Sequence, residues 1–248
     1  MRATAGLATV LLALSATRLC AQDGARTVAS IPAPAGCVRI ASPDASFGRW
    51  IQSLPLRQSQ TIALCDGGTV ADDAYHVLGV LDMKLLFKQD IEQCADWAMR
   101  LWAEWHRERG ALDKLFLFTY GGVRRPFAAS GKTYAQFLKW AFANTNSYSL
   151  MKGCREITAA DARPGDLVVQ NERGGVGHVS VVMDACSSAT GQRYYLMGYS
   201  FMPAQEFHLE GAIDDYGMEG WFTLDGFFRF LRDNIPCGEP VLRRWPGL

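Results

Sequence analysis

Hydrophobic and polar positions follow a helical rhythm before residue 160 and a strand-like one after it. Over residues 90–106 apolar side chains recur at three- and four-residue steps, at Ile91, Cys94, Ala98, Leu101 and Trp105, which predicts the strongest helix, with Asp90 as its N-cap. A second helix is predicted from Thr133, carrying Tyr134, Phe137, Leu138 and Phe142 on one face. A shorter one starts at Ser46 and closes before Pro55. Residues 61–65, 76–83 and 114–120 read as strands, the first and last of these ended by Gly-rich turns. Past residue 160 come strands at 166–170, 178–185 and 194–200, joined by the Gly-rich link NERGGVG and by a turn at 188–191. Residues 221–224 add a late strand before the short FFRFLR helix. Helices first and an antiparallel sheet later predict an α+β architecture, with residues 43–248 forming one domain.

The N-terminus has a different character. Arg2, the apolar run LATVLLALSA at residues 7–16 and the triplet Leu19-Cys20-Ala21 read as a signal peptide over residues 1–21. Residues 22–42, polar and Pro/Ala-rich, read as a flexible leader. The apolar run is too short to span a bilayer, so no integral membrane segment is expected after signal cleavage. Arg18-Leu19 is a poor context for a lipid-bearing Cys20, and the expected location is therefore periplasmic or secreted.

The overall composition, 49% hydrophobic and 20% charged, is that of an ordinary globular chain. Its 25 basic and 25 acidic residues cancel, which leaves no surplus to hold nucleic acid or an anionic membrane. Six cysteines follow the leader, an even number that in an exported protein suggests three disulfides. None forms a CxxC, so neither a zinc site nor another cofactor is expected.

Cys94 is the candidate for chemistry. At the start of a helix, unsatisfied N–H groups and the macrodipole favour negative charge, which would lower a thiol's pKa. Its own N–H, with the Gln93 side chain, is placed to face an oxyanion. The same position on the apolar face also suits a buried small hydrophobe or half of a disulfide. His178 follows Gly177 at the mouth of a strand, where an imidazole can face a cleft from a rigid backbone.

The stretch RPGDLVV…GHVSVVMDA, residues 163–185, resembles the corresponding part of the NlpC-type and CHAP peptidoglycan hydrolases, in which a Pro-Gly-Asp turn leads one strand and Gly-His begins the next. That resemblance implies a papain-like helix on an antiparallel sheet, with Cys94 as nucleophile and His178 as base. The interval between the two is longer than in compact domains of that type, which makes residues 121–154 an insertion or lid. The third group in such hydrolases lies on the strand after the histidine strand; here that region offers Tyr199 and Ser200, read as substrate-binding, and Gln205, the first choice to orient the imidazole.

A second resemblance covers most of the chain. SFGRWIQSLPL, QDIEQCADWAMRLWAEW, GHVSVVMDA and SFMPAQEFHL occur in order and resemble an uncharacterised family of exported bacterial proteins, domain of unknown function 4846. The functional expectation is an exported cysteine hydrolase, endopeptidase or amidase, acting on peptidoglycan or a peptide. The alternatives are a non-catalytic envelope binding or scaffold protein on the same fold and, more weakly, acyl or peptidyl transfer by the same pair.

Overall fold

Two helix starts fall where the sequence predicts. Ser46 Oγ accepts from the Arg49 N–H at 3.1 Å and Thr133 Oγ1 from the Gln136 N–H at 3.4 Å. The computed structural model describes residues 26–248. Its regular elements begin with β1 (Cys37–Arg39), α1 (Phe47–Ser53), β2 (Val77–Val80), α2 (Cys94–Glu108), β3 (Phe116–Phe118) and β4 (Arg124–Pro126). Then follow α3 (Tyr134–Asn144), α4 (Ser147–Gly153), β5 (Arg155–Glu156), β6 (Leu167–Gln170), β7 (His178–Ser188) and β8 (Arg193–Tyr199). The chain closes with β9 (His208–Glu210), β10 (Gly217–Met218), β11 (Trp221–Phe222), α5 (Leu224–Asn234) and β12 (Val241–Arg244).

The architecture is α+β. Ten strands form one sheet whose main path runs β10-β11-β8-β7-β6-β12-β5, and every pairing in it is antiparallel. Further strands join off this path: β1 pairs with β7, and β9 joins β8 to β2. β3 and β4 make a separate hairpin.

β7 is covered on both faces. Val179, Val181 and Met183 belong to the core that holds Trp97, Ala98 and Leu101 of α2, whereas Val182 and Ala185 belong to the core that holds Phe227 and Leu231 of α5. An irregularity between Val182 and Asp184 shifts the alternation, so Cys186 rejoins the α2 side. Asp184, fully buried, is held by Arg39 Nε at 2.6 Å, Gln52 Nε2 at 2.6 Å and the Ala185 N–H at 2.8 Å.

Several expectations need correction. The segment read as a flexible leader is built into the fold from Arg26 onward: β1 pairs with β7 and Val28 is fully buried. The signal-peptide reading of residues 1–21 lies outside the described residues. Residues 61–65 form isolated bridges, Ala63 to Thr69 and Leu64 to Gln205, rather than a strand. α2 starts at Cys94, not Asp90, because the Asp90 carboxylate is taken by the Gln93 side chain at 2.8 Å and the Ala204 N–H at 2.6 Å. The six cysteines among the described residues are all free, not paired as their even number suggests. Cys94 on α2, Cys154 after α4 and Cys237 after α5 lie on or beside separate elements, whereas Cys37 on β1 and Cys186 on β7 meet as free thiols. No helix among the described residues is long and apolar enough to cross a membrane.

Candidate functional site

The first turn of α2 is pinned from two sides. The Gln93 N–H donates to Asp96 Oδ2 at 2.9 Å, a reciprocal cap, and Trp97 Nε1 donates to the Gln205 carbonyl at 2.9 Å. This seats Cys94 against the mouth of β7, with Sγ 4.0 Å from the Gly177 carbonyl oxygen and receiving the Val179 N–H. The sulfur therefore touches the backbone on both sides of His178.

Gly177 is required where it stands. A Cβ there would lie 2.3 Å from the Gln170 carbonyl oxygen, 2.5 Å from Ser147 Oγ and 2.6 Å from Asn171 Nδ2. Gly177→Ala should therefore force the strand mouth apart and cost roughly 1–3 kcal/mol, read as a lower urea midpoint.

His178 is fully buried. Its Nε2 meets Ser180 Oγ at 3.0 Å, while Nδ1 is buried without a hydrogen-bond partner. The ring stands edge-on to Tyr199, centroids 5.0 Å apart, and tilted against Phe201 at 5.7 Å. Burial, aided by nearby His208, lowers its pKa from the ordinary 6.5 to about 3, so the resting imidazole is neutral. An unfolded chain takes up this proton as pH falls below 6.5 and the folded one does not until about 3. Stability should fall through that window, by at most about 1.4 kcal/mol per pH unit from this group. Urea midpoints measured at neutral and acid pH should converge more closely in His178→Gln than in the wild type.

At Cys94 burial wins over the helix N-terminus. The sequence position suggests a lowered pKa, but burial, with a smaller push from the Asp96 carboxyl, raises the thiol to about 12, against the opposing Val179 and Ala95 N–H groups. The resting thiol is protonated.

A cleft of about 530 Å³ opens over Cys94. One wall is the start of α2, including Gln93; the facing wall is Phe142, Thr145, Asn146 and Ser147, with residues 175–177 and Met202 completing it. The segment read as an insertion, 121–154, thus supplies a wall. It is stitched to the Gly-rich link by Asn146 Nδ2 to the Gly175 carbonyl at 3.2 Å and by Asn171 Nδ2 to Ser147 Oγ at 2.8 Å.

The remaining predicted residues are distributed unevenly. Gln93 lines the cleft, but its amide is engaged by Asp90. Gln205 does not hydrogen-bond His178: its side chain donates to the Tyr75 hydroxyl at 3.1 Å, and its carbonyl receives Ser200 Oγ at 2.7 Å. Tyr199 and Ser200 do not line the Cys94 cleft. Tyr199 packs on the His178 ring and donates to Glu210 Oε2 at 2.7 Å. Sequence reasoning missed Ser180, although residues i and i+2 of a strand share a face and the partner of His178 was to be sought there.

A family model described as "Domain of unknown function (4846)" matches residues 28–130 and 123–232. The chain belongs to this family. No curated protein and no solved structure matches it. The first matched segment of this family 4846 chain contains Gln93 and Cys94, and the second contains His178, Ser180 and Gln205. The second also contains the Pro-Gly-Asp turn, whose aspartate is structural. Asp166 receives Arg244 Nε at 2.5 Å, Arg244 Nη2 at 2.8 Å and the Arg163 N–H at 2.8 Å. Gly165 there has φ +92°, and a Cβ on it would lie 2.8 Å from Phe47 Cδ1.

Proposed function

We propose that the protein is an exported cysteine hydrolase of amide bonds, built on a papain-like arrangement of α2 against the sheet, with Cys94 as nucleophile and His178 as base. One observation carries the reading. A free thiol lies against the backbone flanking His178, while Nδ1 of that neutral, buried imidazole has no partner. The thiol abuts the backbone on both sides of His178 at a cleft open to substrate. The ring, which Ser180 and Tyr199 hold toward the α5 side of β7, has to swing toward the sulfur for the pair to act.

The steps follow from these groups. Nε2–H donating to Ser180 Oγ leaves Nδ1 as the acceptor. As Cys94 Sγ attacks the carbonyl carbon, its proton moves to His178 Nδ1. The oxyanion is met by the Cys94 N–H and by the Gln93 amide once that amide leaves Asp90. The C–N bond then breaks, Nδ1 returns the proton to the leaving amine, and water activated by His178 hydrolyses the thioester. Because the resting pair is neutral, proton transfer accompanies attack rather than preceding it. The sequence resemblance to NlpC-type and CHAP hydrolases directs the substrate reading to an amide of peptidoglycan.

A second reading, a non-catalytic envelope binding or scaffold protein, is favoured by the burial that raises the thiol to about 12. Incubation of wild type and Cys94→Ala with purified peptidoglycan, with fragments identified by mass spectrometry, separates the two. The hydrolase reading expects new amine and carboxyl ends from wild type alone. Equal products from both proteins, or none from either, would count against it.

A further inference from the structure

A second cavity, about 380 Å³, lies between β9, the residues before β2 and helix α5, and its lining shares no residue with the Cys94 cleft. That volume falls within the range of small-molecule sites. Five aromatic side chains line it: Tyr75, Tyr199, Phe201, Tyr216 and Phe230. Two pairs among them stand perpendicular, Tyr75 with Tyr199 at 82° and Tyr216 with Phe230 at 83°.

The charge of this lining is one-sided. Glu210 and Asp73 contribute carboxylates, and no lysine or arginine lines the cavity. Glu210 is only 2% exposed, and its carboxylate is fixed by the His76 N–H at 2.8 Å, the Tyr199 hydroxyl at 2.7 Å and His208 Nε2 at 3.3 Å. A buried carboxylate is costly without a cationic partner, and here the only basic side chain on it is one imidazole. An aromatic ring whose face meets a cavity adds negative quadrupole potential to it. One of these rings already carries a cation: the Arg229 guanidinium stacks over Tyr216 at 5.5 Å.

The geometry points to a binding site for a small organic ammonium group, held by the aromatic walls and balanced by Glu210. Nothing in the proposed hydrolysis at Cys94 requires it. A neutral ring of similar size would gain the apolar contact but not the attraction of Glu210 and the aromatic rings for a cation, which makes charge the discriminating property.

The test compares choline with 3,3-dimethyl-1-butanol, its neutral counterpart of the same shape, by calorimetry or ligand-observed NMR on the full chain. Choline should bind about tenfold more tightly or better. Tyr216→Ala and Phe230→Ala, at half-buried positions, should each weaken choline several-fold while circular dichroism shows the fold retained. Glu210→Gln should narrow the gap between the two ligands. Equal affinity for both ligands, no choline binding to wild type, or binding unaffected by the Tyr216 and Phe230 substitutions would each overturn the assignment.

Discussion

Cys94→Ala is expected to reduce amide hydrolysis by about 10³-fold or more while leaving the fold nearly unchanged. The magnitude follows from losing covalent catalysis altogether, so that only positioning and oxyanion contacts remain. The small structural effect follows from the site. Cys94 is a small side chain, 8% exposed, whose sulfur makes only weak polar contacts at the strand mouth. His178→Ala should lower kcat to a similar extent, and the double variant should be no worse than either single one, because the two act as a unit. Steady-state rates on one peptidoglycan preparation, with urea midpoints for each variant, check both halves. Full additivity of the two losses would indicate independent roles.

The largest expected effect on stability lies at Arg244. Arg244→Ala should destabilise the protein by about 3–5 kcal/mol, because it leaves the Asp166 carboxyl buried without its bidentate partner. Arg244 also donates to the Asp161 carbonyl at 2.6 Å, so the substitution frees two acceptors in the segment that leads into β6. The raised pKa of Asp166, which comes mainly from burial, means that part of this loss should be relieved in acid, where the stranded carboxyl takes a proton. Urea denaturation at neutral and acid pH checks this. A neutral-pH midpoint equal to wild type would contradict it.

Much of the scaffold was legible in the sequence because its elements obey local rules. Ser46 and Thr133 sit where caps belong, and the apolar steps from Cys94 to Trp105 fall within α2, although that helix is buried on every side from Cys94 to His106. The alternation after residue 160 became β6, β7 and β8. What local pattern could not supply was long-range partnering. Residues 26–42 look like leader by composition, yet Arg39 reaches Asp184 across 145 positions of sequence and β1 adds to the sheet. β12 carries Arg243 and Arg244, whose charges conceal a strand until Asp166 is placed opposite Arg244.

The candidate site divides in the same way. Cys94 and the mouth of β7 come together as their positions at a helix start and a strand start suggest. The partner of His178 was sought on the following strand at Gln205, but the ring turns along its own strand to Ser180. The thiol's raised pKa was also hidden, since helix position is a local property and burial depends on what packs over it.

The most direct test of the Cys94–His178 assignment is intact-mass spectrometry of the protein, quenched in acid while it turns over soluble muropeptides. Wild type should show a transient mass increase equal to the acyl portion of the substrate, mapped by peptide digestion to Cys94 and absent from Cys94→Ala. Release of amide-cleavage products with the Cys94 thiol unmodified, or turnover by Cys94→Ala at the wild-type rate, would contradict it.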